Sequence, residues 1–126
     1  MSKKILLDAF YNQFSDFLSE LTKAFPEDPD FPAYKTGLLL FQKTNPALVI
    51  KTVHEHVSPY EETIRSKNVD FFLKHDYSQH TENDDAMEQV IQKLKGYWGQ
   101  MSDANKDVVW RYITLLLDLA KRYTSG

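Results

Sequence analysis

A chain of 126 residues, 42% hydrophobic and 13% aromatic, is long enough for a single domain over residues 1–126 with a core of its own. Its 15 basic and 18 acidic residues leave a net charge of −3, and the bases are scattered rather than gathered, which argues against a nucleic acid as the main partner. With no Cys, a disulfide framework, a thiolate zinc site and a thiol nucleophile are excluded.

At the N-terminus, Lys3 and Lys4 precede an apolar run of only three residues, Ile5-Leu6-Leu7, before Asp8. That is too short for the apolar segment of a signal peptide. No window approaches the roughly 18 apolar residues of a membrane span. The expectation is a soluble intracellular protein with no membrane partner.

Helical spacing predicts a first helix over Ser2 to Ala24, with Leu6, Leu7, Phe10, Tyr11, Phe14, Phe17, Leu18 and Leu21 in one arc. It stops at Phe25-Pro26, because proline disfavours the helical conformation of the residue before it. Asp30 is the expected N-cap of a second helix, whose face is Tyr34, Leu38 and Phe41, broadened by Leu39 and Leu40. Gly37 in its middle costs about 1 kcal/mol relative to Ala. Close approach of a neighbouring helix is the expected reason for it.

A third helix is expected from Pro46 to Val57, capped by Asn45 and burying Val49, Ile50, Val53 and Val57. Ser58-Pro59-Tyr60-Glu61 repeats the device, with Ser58 as cap and Glu61 completing a capping box. A further turn, Asn68 to Leu73, should plug aromatics into the core. Residues 75–83 read as the longest loop, followed by a helix from Asp84 to about Met101 with Met87, Val90, Ile91, Leu94, Tyr97, Trp98 and Met101 on its apolar arc.

Ser102 or Asp103 caps the last helix, which runs to about Tyr123. Its apolar side chains, from Val108 through Leu115, Leu116 and Leu117 to Tyr123, cover roughly 220° of its surface, against 100–140° for an ordinary surface helix. It must be covered on more than one side. The pairs Asp107 with Arg111 and Asp118 with Arg122 have the spacing of stabilising ion pairs along it. The fold expected is all-α: a single compact bundle of five or six helices with the C-terminal helix central. Its core would hold Phe10, Phe14, Phe17, Leu21, Leu38, Phe41, Ile50, Val53, Phe72, Ile91, Leu94, Trp98, Val109, Ile113, Leu116 and Ala120.

No catalytic constellation emerges. Phosphate cradles and nucleophile elbows depend on glycine, and only four glycines exist. His54-Glu55-His56 places its two imidazoles about 160° apart on a helix, so one ion cannot take both. His75, Asp76, His80, Glu82 and Asp84 offer donors, but their spacing matches no calcium loop. The sequence thus points away from an enzyme and assigns no catalytic residue, cofactor or metal ligand. The alternative is a metal-dependent enzyme or ion-binding protein using the 75–85 loop.

Gln92, Gly96 and Gly99 fall together on the outer face of the penultimate helix. Two glycines so close either mark fraying before Ser102 or form a flat surface where another chain approaches. They are the candidate partner-binding residues, for a protein partner or for self-association.

The stretch Tyr60-Glu61-Glu62-Thr63-Ile64-Arg65-Ser66-Lys67-Asn68-Val69-Asp70-Phe71-Phe72-Leu73 carries a resemblance, together with Tyr97 to Ser102, Asn105-Lys106 and Val109 to Tyr112. Over about half the chain, it resembles small uncharacterised proteins of large DNA viruses of algae and protists. The resemblance implies a viral protein made in the host cytoplasm, with an association with the virion, and transfers no site residue. The function expected is a non-enzymatic interaction or structural role.

Overall fold

The computed structural model describes residues 2–74 and 86–125. Five helices of twelve residues or more form the bundle: α1 (Lys3–Ala24), α2 (Asp30–Thr44), α3 (Pro46–Val57), α6 (Ala86–Tyr97) and α7 (Asp103–Ser125). Two short segments, α4 (Glu61–Arg65) and α5 (Val69–Lys74), lie between α3 and α6. Single 3₁₀ turns at Ser58–Tyr60 and Trp98–Gln100 link α3 to α4 and follow α6. No strand forms among the described residues.

The C-terminal helix is central, as its wide apolar arc requires. Helix α7 packs against α1, α3 and α4. Leu116, Leu117 and Ala120 are completely buried, and Val109, Ile113 and Tyr123 nearly so. Helix α1 contributes Phe10, Phe14 and Phe17 to the same core, and Phe17 stacks on Tyr112 of α7 with ring centres 5.2 Å apart. Trp98 and Trp110, both buried, meet edge-on with ring centres 5.6 Å apart.

Caps follow local chemistry in three places, one of them at α5, where Asn68 Oδ1 accepts the Phe71 N–H at 3.1 Å. Ser2 Oγ accepts the Ile5 N–H at the start of α1, and Ser102 Oγ accepts the Asn105 N–H at the start of α7. Elsewhere the expected caps fail. Asp30 is the first residue of α2, and its own N–H is held by the Asp28 carboxylate at 2.9 Å. Neither Asn45 nor Ser58 makes a side-chain cap. Glu61 turns away from a capping box because two cations, Lys121 and Arg65, compete for its carboxylate.

Packing overrides the sequence in four more respects. Phe41 is 38% exposed rather than in the core, and Phe31, outside the expected face of α2, is completely buried. Ile91 is only partly buried, packed at the edge of the core. Asp118 pairs with Arg65 of α4 at 2.5 Å and Asp107 approaches Lys67 at 4.0 Å, so both acids tie α7 to other segments instead of lying along their own helix. Phe71 is 37% exposed, beside Tyr60 at 5.9 Å, rather than plugged into the core. The Phe72 and Met87 side chains and the 75–85 loop lie outside the described residues.

Candidate interaction surface

Helix α2 is fastened at both ends, and the fastenings decide which of its faces looks outward. At its N-terminal end the segment Phe25–Asp30 meets α6. Asp28 is 8% exposed and accepts three hydrogen bonds: from the Asp30 N–H at 2.9 Å, the Tyr97 hydroxyl at 2.5 Å and the Lys93 ammonium at 3.1 Å. Lys93 also pairs with Asp30 at 2.5 Å. The Tyr97 ring stacks on Phe25 at 4.1 Å, beside the buried Phe31. At the other end of α2, the Tyr11 hydroxyl donates to the Pro46 carbonyl at 2.7 Å, tying α1 to the corner between α2 and α3.

The electrostatics of the first fastening follow from its hydrogen bonds. The Tyr97 hydroxyl, the Asp30 N–H and Lys93 together hold the Asp28 carboxyl below the usual carboxylate range. The same bond to Asp28 pushes the Tyr97 phenol up, because losing its proton would put two anions in contact. Asp30 and Asp28 hold Lys93 well above an ordinary lysine. An open cleft of about 660 Å³ lies here, lined by Phe25, Glu27, Asp28, Asp30, Lys93 and Tyr97 among others. Its Asp28, Asp30, Lys93 and Tyr97 groups bond to one another and join the start of α2 to α6.

A second network holds α4 to α7. Glu61 takes the Lys121 ammonium at 2.9 Å and the Arg65 Nε at 2.8 Å, and Arg65 reaches on to Asp118. Beside it an open cleft of about 630 Å³ is lined by His54, Asp118, Lys121, Arg122, Thr124 and Ser125. The Thr124 and Ser125 hydroxyls turn back onto helix carbonyls. No group of three metal-ligating side chains occurs among the described residues, and the 75–85 candidates are not among them.

Of the six exposed large apolar side chains among the described residues, four lie on the outward side of α2 and the start of α3, the other two being Ile5 of α1, 56% exposed, and Phe71 of α5. Leu40 is 60% exposed, Leu48 43%, and Leu39 and Phe41 each 38%. Gly37 lies one turn before Leu40 and Phe41. A Cβ built on it would meet nothing within 4 Å, so the expected neighbouring helix is absent there. Exposed large apolar side chains concentrated on one corner are the usual mark of an interaction surface.

Comparison with protein-family models, curated proteins and solved structures finds no match to this chain. The surface therefore has to be judged on its own residues.

The structure places Gln92, Gly96 and Gly99 in exposed positions. Gln92 and Gly96 lie one turn apart on α6, which ends at Tyr97, and Gly99 falls in the 3₁₀ turn after it. Neither glycine has a positive φ, so neither is a left-handed cap, and a Cβ at either would meet only open space. The sequence missed the α2–α3 corner because Leu38 to Phe41 reads equally well as a broad buried face. Asp28 was missed too, although an Asp just before Pro29 has a signature: its side chain readily accepts the N–H two residues on.

Proposed function

We propose that the chain is a non-enzymatic protein–protein interaction module that docks its partner on the α2–α3 corner. The exposure of Leu40, with Leu39, Phe41 and Leu48 around it, carries this reading. Apolar side chains held in water by a helix fastened at both ends lose that cost when a partner covers them, at about 25 cal/mol per Å² removed from water. The absence of cysteine suits an intracellular setting. No helix among the described residues is long and apolar enough to cross a membrane.

The test is affinity capture with the wild-type chain and with Leu40→Glu, alongside a thermal melt of each. A charge at Leu40 should remove the captured partner and leave the melt unchanged. Gly96→Lys serves as the control on α6: if that variant loses the partner and Leu40→Glu keeps it, the contact lies at Gln92, Gly96 and Gly99 instead.

A further inference from the structure

The α2–α3 corner is a basic island in an acidic protein. All 18 Asp and Glu lie outside residues 31–54, while Lys35, Lys43 and Lys51 lie inside them. Lys35 is half-buried and donates to Ser19 Oγ at 2.8 Å. Lys43 and Lys51 are exposed and have no ionic partner among the described residues. Their placement is specific. Lys43 follows Leu40 by three residues on α2, and Lys51 follows Leu48 by three on α3, so each lysine stands on its helix beside an exposed leucine. Glu55 lies one turn after Lys51 on α3 without forming an ion pair with it, and Asp8 of α1 pairs with Lys4 at 3.4 Å.

Resting on the docking surface proposed above, we infer that its partner is an acidic amphipathic helix of another protein. Leucine-rich residues of that helix would cover Leu40, Phe41 and Leu48, and Asp or Glu on its flanks would meet Lys43 and Lys51. Gly37, with open space where a side chain would stand, allows the partner's backbone to come close to α2. Charge decides against the other occupants. A second copy docked face to face would bring Lys43 and Lys51 against their own counterparts, and like charges across an interface select against that pairing. Two exposed lysines are fewer than the four to eight of a lipid-binding basic cluster.

The experiment is a selection of random helix-forming peptides displayed on phage against the immobilised full chain. Peptides that bind Leu40→Glu equally well are discarded. The survivors should carry one apolar face and a net negative charge. As synthetic peptides they should bind at least tenfold more weakly to Leu40→Glu and several-fold more weakly to Lys43→Glu/Lys51→Glu. Only the part of the affinity carried by the lysines should fall as salt rises. Neutral or basic survivors would overturn the inference and leave the docking surface standing. No Leu40-dependent survivor at all would overturn it, and a partner still captured through Leu40 in the affinity experiment would show that the surface itself survives. Leu40-dependent binding to phosphatidylglycerol vesicles, with no peptide selected, would assign the corner to a lipid surface instead.

Discussion

Helices α2 and α7 carry nearly the same apolar run, Leu38-Leu39-Leu40-Phe41 in one and Leu115-Leu116-Leu117 in the other. In α7, Leu116 and Leu117 of that run are completely buried, whereas of the α2 run only Leu38 is buried, and the three residues after it are exposed. Composition does not separate the two. Position does: α7 is enclosed by α1, α3 and α4, while α2 packs on α1, α3 and α6 with its remaining side open. An all-round apolar helix is thus either a core helix or a helix with part of its cover supplied by another molecule.

The sharpest way to break that comparison is to truncate one leucine of each run. Leu116→Ala removes side-chain atoms from a site with no room to collapse and should cost about 2–5 kcal/mol. Leu40→Ala loses little that folding had buried and should stay within about 0.5 kcal/mol of wild type. Denaturant unfolding of the two variants measures both. Similar losses would mean that α2 is covered in the free protein and would remove the basis of the docking surface.

Most of the bundle was legible in the sequence. The 3.6-residue spacing places α1, α3 and α7 and most of their buried residues, and proline marks the breaks at Pro26, Pro46 and Pro59. What escaped depends on residues far apart in the chain. Whether Phe41 or Phe31 faces the core depends on which side of α2 meets α1 and α6. Whether Glu61 caps its own helix or binds Lys121, 60 positions away, depends on a neighbour that local spacing does not reveal. The candidate surface was illegible for the same reason: exposure is a property of the packed helix, and only its basic charge pattern is written along the chain.

A smaller effect tests why α2 holds its orientation. Asp28→Ala leaves the Tyr97 hydroxyl, the Asp30 N–H and one contact of Lys93 without their acceptor, and should cost about 1–3 kcal/mol. The pH dependence has a definite sign. The folded-state pKa of Asp28 is depressed, so its contribution is complete above the unfolded value of about 3.9 and is lost as pH falls through the lower folded value. Below about pH 4 the wild type should therefore lose more stability than Asp28→Ala does. Parallel acid-unfolding curves would show that the carboxylate charge contributes nothing to the joint.

Glycine substitution sharpens the comparison from the exposed side. Gly37→Ala places a methyl where nothing lies within 4 Å and removes a helix-weakening residue, so it should stabilise by up to about 1 kcal/mol. The same variant should weaken the docked partner, because that methyl occupies the space through which a backbone approaches. A gain in stability without any loss of binding would place the partner on another part of the corner. Gly96→Ala should stabilise in the same way, and with no effect on binding.

The smallest expected effect lies on the covered side, where α4 is clamped to α7. Lys67 follows α4 with φ 54°, the one described non-glycine residue with a positive φ. Its N–H bonds to the Ile64 carbonyl and the Asn68 N–H to the Thr63 carbonyl, both at 3.1 Å, the paired bonds that close a helix on a left-handed residue. Any Cβ is crowded in that conformation, at a cost of about 1–2 kcal/mol. Lys67→Gly removes the crowding, and the greater freedom of an unfolded glycine takes back about 0.5–1 kcal/mol. The pairing with Asp107 at 4.0 Å joins two exposed side chains and contributes little. The net expectation is a gain of up to about 1 kcal/mol for Lys67→Gly, with a loss for Lys67→Val, whose branched side chain suits that backbone least. Equilibrium unfolding of the pair decides the matter: destabilisation by glycine would mean that the Lys67 side chain, rather than the backbone bonds beneath it, holds the end of α4 in place.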